Sequence, residues 1–181
     1  MSGRLAKILI LCEDSQHEAF IRRFLAGMGW ERRNLRVEKS PSARGSANRW
    51  VIKQFPKELA GLRKTHAAAA LIVMIDADSK TVQERIGEFQ DECQQCRIDF
   101  RTSTEAVVIA VPRRSIETWI EYLNGATVDE TTKYPGLDRE RNCKSAVQNL
   151  VRQCKSQGLL PNAPAALRNA CVEYNSRIKL R

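Results

Sequence analysis

Residues 71–80 constrain this chain most: Leu-Ile-Val-Met-Ile, followed by Asp76, Ala77, Asp78, Ser79 and Lys80. An apolar run without charge is the pattern of a strand buried on both faces, as in parallel sheets. This one ends abruptly in two carboxylates at i and i+2. In extended backbone that spacing points both side chains to one side, where a single cation fits between them. Left unpaired at the edge of an apolar layer, they would repel each other and lose hydration, and a bound cation relieves both costs. The plainer alternative is that Asp76 caps the next helix while Asp78 is solvated in its first turn.

A second buried-strand pattern, residues 6–12 (Ala-Lys-Ile-Leu-Ile-Leu-Cys), also ends in acid, at Glu13 and Asp14. From Ser15 the apolar residues Ala19, Phe20, Phe24 and Leu25 fall at helical spacing, and Gly27 and Gly29 suit the helix terminus. Residues 35–38 form a short candidate strand. Residues 50–63 form a candidate helix interrupted at Pro56, and residues 81–95 a helix with Val82, Ile86 and Phe89 inward. Residues 106–111 (Ala-Val-Val-Ile-Ala-Val) read as another buried strand, stopped by Pro112, and Ser115 N-caps a helix over 116–123. This alternation predicts an α/β domain over 1–125, a mostly parallel four-stranded sheet flanked by helices. Helices at 139–156 and 164–178 then make 126–181 a helical extension packed on it.

The chain has 181 residues, 43% apolar and 28% charged, ordinary for a globular domain with a real core. Its longest uncharged apolar stretch, residues 67–75, falls well short of the roughly 20 residues that span a bilayer. No signal peptide is expected, and six scattered cysteines suggest reduced thiols, so the expected location is cytoplasmic. A net charge of +9 and a pI near 9.5 favour polyanions, nucleic acid first. Residues 39–49, rich in small residues, read as a loop whose Lys39, Arg44 and Arg49 can lie along a phosphate backbone.

Ligands of parallel α/β sheets gather at the carboxyl ends of the strands. Here the first strand ends in Glu13 and the central one in Asp76 and Asp78, while the last leads through Arg113 and Arg114 to Glu117. The result is an acidic island in a basic chain, the combination that metal-assisted attack on a phosphodiester requires. Mg²⁺ takes carboxylate and phosphate oxygens, and surrounding Lys and Arg hold a strand that the carboxylates would repel.

Glu13 after the first strand and the Asp76-x-Asp78 pair after a later one resemble the Toprim domain. That domain occurs in topoisomerases, bacterial primases and the overcoming-lysogenization-defect nucleases. Residues 115–120 (Ser-Ile-Glu-Thr-Trp-Ile) are similar to a segment of small stand-alone Toprim-like proteins of the latter group. The resemblance spans roughly residues 6–123. It implies a Toprim-like Rossmannoid fold, with Glu13, Asp76 and Asp78 around Mg²⁺ or Mn²⁺ and Glu13 also serving proton transfer. Glu117 would add a second-metal or supporting carboxylate, or be simply a helix N-terminal acid. Lys80 and Arg85 would offset transition-state charge, with a solvated first helical turn as their alternative. The implied activity is a nuclease, on DNA before RNA, in phage defence or nucleic-acid processing. A partner ATPase or other subunit fits the same resemblance. Two positions depart from the family: Asp14 stands where many relatives have Gly, and His17, with Glu18 beside it, where a second Glu is common. A second metal site therefore does not follow. His17 is expected as an exposed helix histidine, with a proton shuttle as its alternative.

Other readings are weaker. The pair Cys93 and Cys96 lacks the further ligands zinc needs, and Cys12 in an apolar strand is a poor nucleophile. Trp50, Trp119 and Tyr122 are better core residues than base-stacking platforms. The first strand and its acids also resemble the start of a phosphoacceptor receiver domain, but no later strand ends in Ser, Thr or Lys-Pro as that family requires. A catalytically silent Toprim-like subunit that binds nucleic acid or a protein is the remaining alternative.

Overall fold

The computed structural model describes residues 6–41, 46–65, 68–156 and 158–178. These build β1 (Lys7–Cys12), α1 (Ser15–Gly27), β2 (Leu35–Lys39), α2 (Ala47–Lys64), β3 (Ala69–Met74) and α3 (Val82–Gln95). They continue through β4 (Val107–Ala110), α4 (Ile116–Leu123), α5 (Lys144–Lys155) and α6 (Ala165–Arg177). The four strands form one sheet in the order β2-β1-β3-β4, and every pairing is parallel. The sequence predicts a mostly parallel sheet, and the observed one is wholly so. Each crossover carries a helix, as parallel neighbours require.

Alternating side chains of the strands feed two cores. Ile8, Ile10, Ala70, Ile72, Met74, Val108 and Ala110 meet α1, α4, α5 and α6 on one face. Leu11, Leu71, Val73, Val107 and Ile109 meet Val51, Phe55 and Leu59 of α2 and Phe89 of α3 on the other. The C-terminal helices are thus part of one core. Buried Ala146, Val147 and Leu150 of α5 and Leu167 and Tyr174 of α6 belong to the same apolar layer as β1, β3 and β4. Trp30 donates its indole N–H to the Tyr174 hydroxyl at 3.0 Å, tying the loop after α1 to α6.

Three expectations change. Helix α2 begins at Ala47, so Arg49 lies in its first turn rather than in a loop, and Arg44 lies outside the described residues. Pro56 does not interrupt that helix. Its lost hydrogen bond is outweighed by the buried stripe of Val51, Ile52, Phe55 and Leu59 on either side. Finally, the cysteines are not all free: Cys154 of α5 is joined to Cys171 of α6, while Cys12, Cys93, Cys96 and Cys143 are thiols.

The β4 edge is closed by side chains. Arg101 donates to the Val107 carbonyl at 2.7 Å, and Glu173 of α6 accepts from the Ile109 N–H at 3.3 Å. Arg101 and Glu173 are themselves paired through two hydrogen bonds of 2.7 Å. Where another strand would supply an acceptor and a donor, this ion pair supplies both.

Two glycines probe the packing. A Cβ at Gly27, the last residue of α1, would come within 2.6 Å of Val151 Cγ2 on α5, whereas one at Gly87 in α3 meets nothing within 4 Å. Gly27→Ala should therefore destabilise by about 1–3 kcal/mol by overpacking. Gly87→Ala should stabilise by about 0.5–1 kcal/mol by rigidifying the helix. Urea melts of the two variants check both signs.

Candidate functional site

Strands β1 and β3 pair with Cys12 opposite Met74. The residues that follow therefore emerge side by side at the carboxyl rim of the sheet. The Glu13 carboxylate accepts a hydrogen bond from the Asp76 backbone N–H at 2.6 Å. Two acids 63 residues apart in sequence are thus locked together.

Asp14 is the N-cap of α1, accepting from the His17 N–H at 2.9 Å. The cap sets His17 in the first turn, on the stripe that continues through Phe20, Ile21 and Leu25 into the core. His17 is completely buried, with Nε2 3.1 Å from Asp76 Oδ1. The expected exposed histidine is instead the fixed partner of Asp76. Its spacing on the buried stripe was the signal: i, i+3, i+4 and i+8 form one helical face.

Burial alone would pull the proton off His17. The Asp76 carboxylate, by charge and hydrogen bond, together with Asp14 and Glu13, outweighs that and lifts its pKa to about 10. Burial also raises Asp76, with Glu117 and Asp14 adding to the rise and His17 opposing it. Burial lifts Glu13 to about 7 against the counter-pull of His17, with Asp76 and Asp78 raising it further. Cys12, beneath them, is pushed up to about 12 by burial and by the acids around it, which excludes it as a thiolate nucleophile.

Asp78 departs from the extended geometry that the i, i+2 argument assumes. Its φ is +55°, left-handed backbone that aspartate tolerates, so the simple alternation of side chains fails there. Its Oδ2 accepts from Arg85 at 3.1 Å and from Asn48 at 3.2 Å. Its N–H donates to the carbonyl of Arg114, which is left-handed too, with φ +68°. Two strained non-glycine residues therefore face each other where the extensions of β3 and β4 separate.

Arg85 is 3% exposed, and Glu88 at 2.8 Å and the Ala77 carbonyl at 3.3 Å complete its contacts. It is a positioning residue for Asp78 and is not open to phosphate, contrary to the sequence expectation. Its place on the stripe of Phe89 and Cys93 was legible at i, i+4 and i+8.

Glu117, in the first turn of α4, lies close enough to Asp76 for its charge to raise that carboxyl. Lys39 spans Ser15 Oγ at 2.9 Å and Glu18 at 3.0 Å, and Lys80 is paired with Glu88. Arg113 and Arg114 are half-buried after β4, and Arg49 is exposed. Trp119 is buried, and Trp50 and Tyr122 pack against the cores.

Among the described residues no three acidic, His or Cys side chains form a ready-made metal cluster. What the structure brings together is the Glu13 carboxylate on the Asp76 backbone N–H, with the Asp76 carboxylate held by His17 and its charge felt at Glu13. Among the described residues no helix is long and apolar enough to cross a membrane. Comparison with models of known families, with curated proteins and with solved structures finds no match to this chain.

The raised groups give stability a definite pH dependence. Folded Glu13 keeps its proton to about 7 against 4.5 ordinarily, so its contribution is lost as pH rises between those values. Folded His17 keeps its proton to about 10, so its contribution is intact below 6.5 and lost from there to 10. Cation-free stability should therefore fall steadily from pH 4.5 to 10. Glu13→Gln, which keeps an acceptor for the Asp76 N–H, should match the wild type at pH 4.5. At pH 8 it should exceed it by up to about 3 kcal/mol. Denaturant melts at the two pH values check the difference.

Proposed function

We propose that this chain is a Mg²⁺- or Mn²⁺-dependent nuclease of the Toprim type, cleaving phosphodiesters of nucleic acid, DNA before RNA. The observation that carries the reading is the Glu13–Asp76 contact at the carboxyl rim of a parallel sheet. Glu13 and Asp76 would hold the cation, with Asp78 and Glu117 as acids at the rim. When bound, the cation activates water and stabilises charge on the leaving oxygen.

The chain's own residues do the rest. His17 orients Asp76 from below. Glu13 would, by the Toprim analogy, also take up a proton from the attacking water. Arg113 and Arg114, flanking the rim, hold the phosphate that the carboxylates would repel. A place in phage defence, beside a partner ATPase, follows from the Toprim analogy alone.

A second reading has its own support. His17 already neutralises Asp76, and Arg85 already neutralises Asp78. A catalytically silent subunit that binds nucleic acid or a partner would keep such an arrangement without any cation.

Incubation with plasmid DNA and with structured RNA, with and without Mg²⁺ or Mn²⁺, separates the two. The nuclease reading expects cation-dependent cleavage that falls by at least ~100-fold in Asp76→Asn and in Glu13→Gln, with nucleic-acid binding retained. Binding without cleavage under every cation supports the silent subunit.

A further inference from the structure

We infer that the solvent face of α2 is a binding track for one sugar–phosphate backbone, made by Arg49, Lys53, Lys57 and Lys64. The inference deepens the nucleic-acid reading above and rests on it for the identity of the ligand. All four side chains are exposed. At 3.6 residues per turn they fall within an arc of about 80°, a stripe one cation wide. The buried stripe of Val51, Ile52, Phe55 and Leu59 faces the other way.

The charge on this stripe is uncompensated. Arg22, Arg33, Arg36, Lys39, Arg63, Lys80, Arg85 and Arg101 all have carboxylate partners. None of the four stripe residues has an ion pair among the described residues. The one acid of the helix, Glu58, lies on a different face and is bonded to Gln54. Repulsion along such a row costs stability, and bound phosphates would relieve it.

Spacing and position fit the same ligand. Arg49, Lys53 and Lys57 succeed one another every ~6 Å along the axis, and Arg49 to Lys64 spans ~22 Å. A single strand carries one phosphate per nucleotide, and the four cations of the row can neutralise up to four of them. The row also leads to the candidate site. Asn48, one residue before Arg49, donates to Asp78 at the rim, so a strand lying on α2 would run on to Glu13 and Asp76.

The test is fluorescence anisotropy with a labelled 30-nucleotide single-stranded DNA in EDTA, titrated with salt. Lys53→Gln/Lys57→Gln is compared with Arg152→Gln/Lys155→Gln on α5, across the sheet, and thermal melts confirm that both variants fold. The track predicts about tenfold or greater loss of affinity in the α2 variant. The slope of log K against log salt should flatten by about 1 to 1.5, and the α5 variant should stay within about twofold of wild type. Equal losses in the two variants overturn it. So does wild-type binding to phosphatidylserine vesicles but not to the oligonucleotide.

Because no cation is present, the result is independent of cleavage. Track-dependent binding without Mg²⁺-dependent cutting overturns the nuclease reading and upholds the track. Cutting with unaltered binding in the α2 variant does the reverse.

Discussion

The parallel pairing of β1 with β3 is the constraint on which the site depends. Its register sets Cys12 against Met74 and so delivers Glu13 and Asp76 to the same point of the rim. A slip of one residue would turn the alternating side chains to the wrong faces and part the two acids. The apolar alternation that fills both cores holds that register fixed. Packing and chemistry are therefore set by the same ladder.

Around that point the chain concentrates negative charge while being strongly basic elsewhere. Burial makes the concentration costly, and the protein meets the cost internally. One imidazole lies under Asp76 and one guanidinium beside Asp78, each hidden from solvent. Burial nonetheless lifts Glu13 to about 7 and raises Asp76 above the ordinary carboxylate range.

Much of this was legible in the residues. Uncharged runs such as Leu71 to Ile75 admit few alternatives to a doubly buried strand, and the helix over Ile116–Leu123 follows from its apolar spacing, although the Ser115 hydroxyl expected to cap it makes no hydrogen bond. The acids were legible as well, because they interrupt those runs. The backbone turn at Asp78 was not, since nothing in Asp-Ala-Asp announces positive φ. The buried roles of His17 and Arg85 contradict the usual placing of polar residues in solvent, and only their positions on apolar stripes point inward. At Pro56 the opposite holds: the local penalty is visible in the sequence, and the four buried neighbours that exceed it act only through tertiary packing. Apolar spacing marks α5 and α6 as helices, but periodicity does not tell which core an amphipathic helix will join.

The ion pair laid along β4 sets a direction for assembly. With Arg101 and Glu173 occupying the main-chain groups of Val107 and Ile109, that margin of the sheet offers no template to a neighbouring chain. The opposite margin, β2, is short and carries Arg36, Glu38 and Lys39. One border is sealed and the other charged, so association through strand addition has only the β2 side to use. Any oligomer of this protein is then expected to be built through helices rather than by extending the sheet.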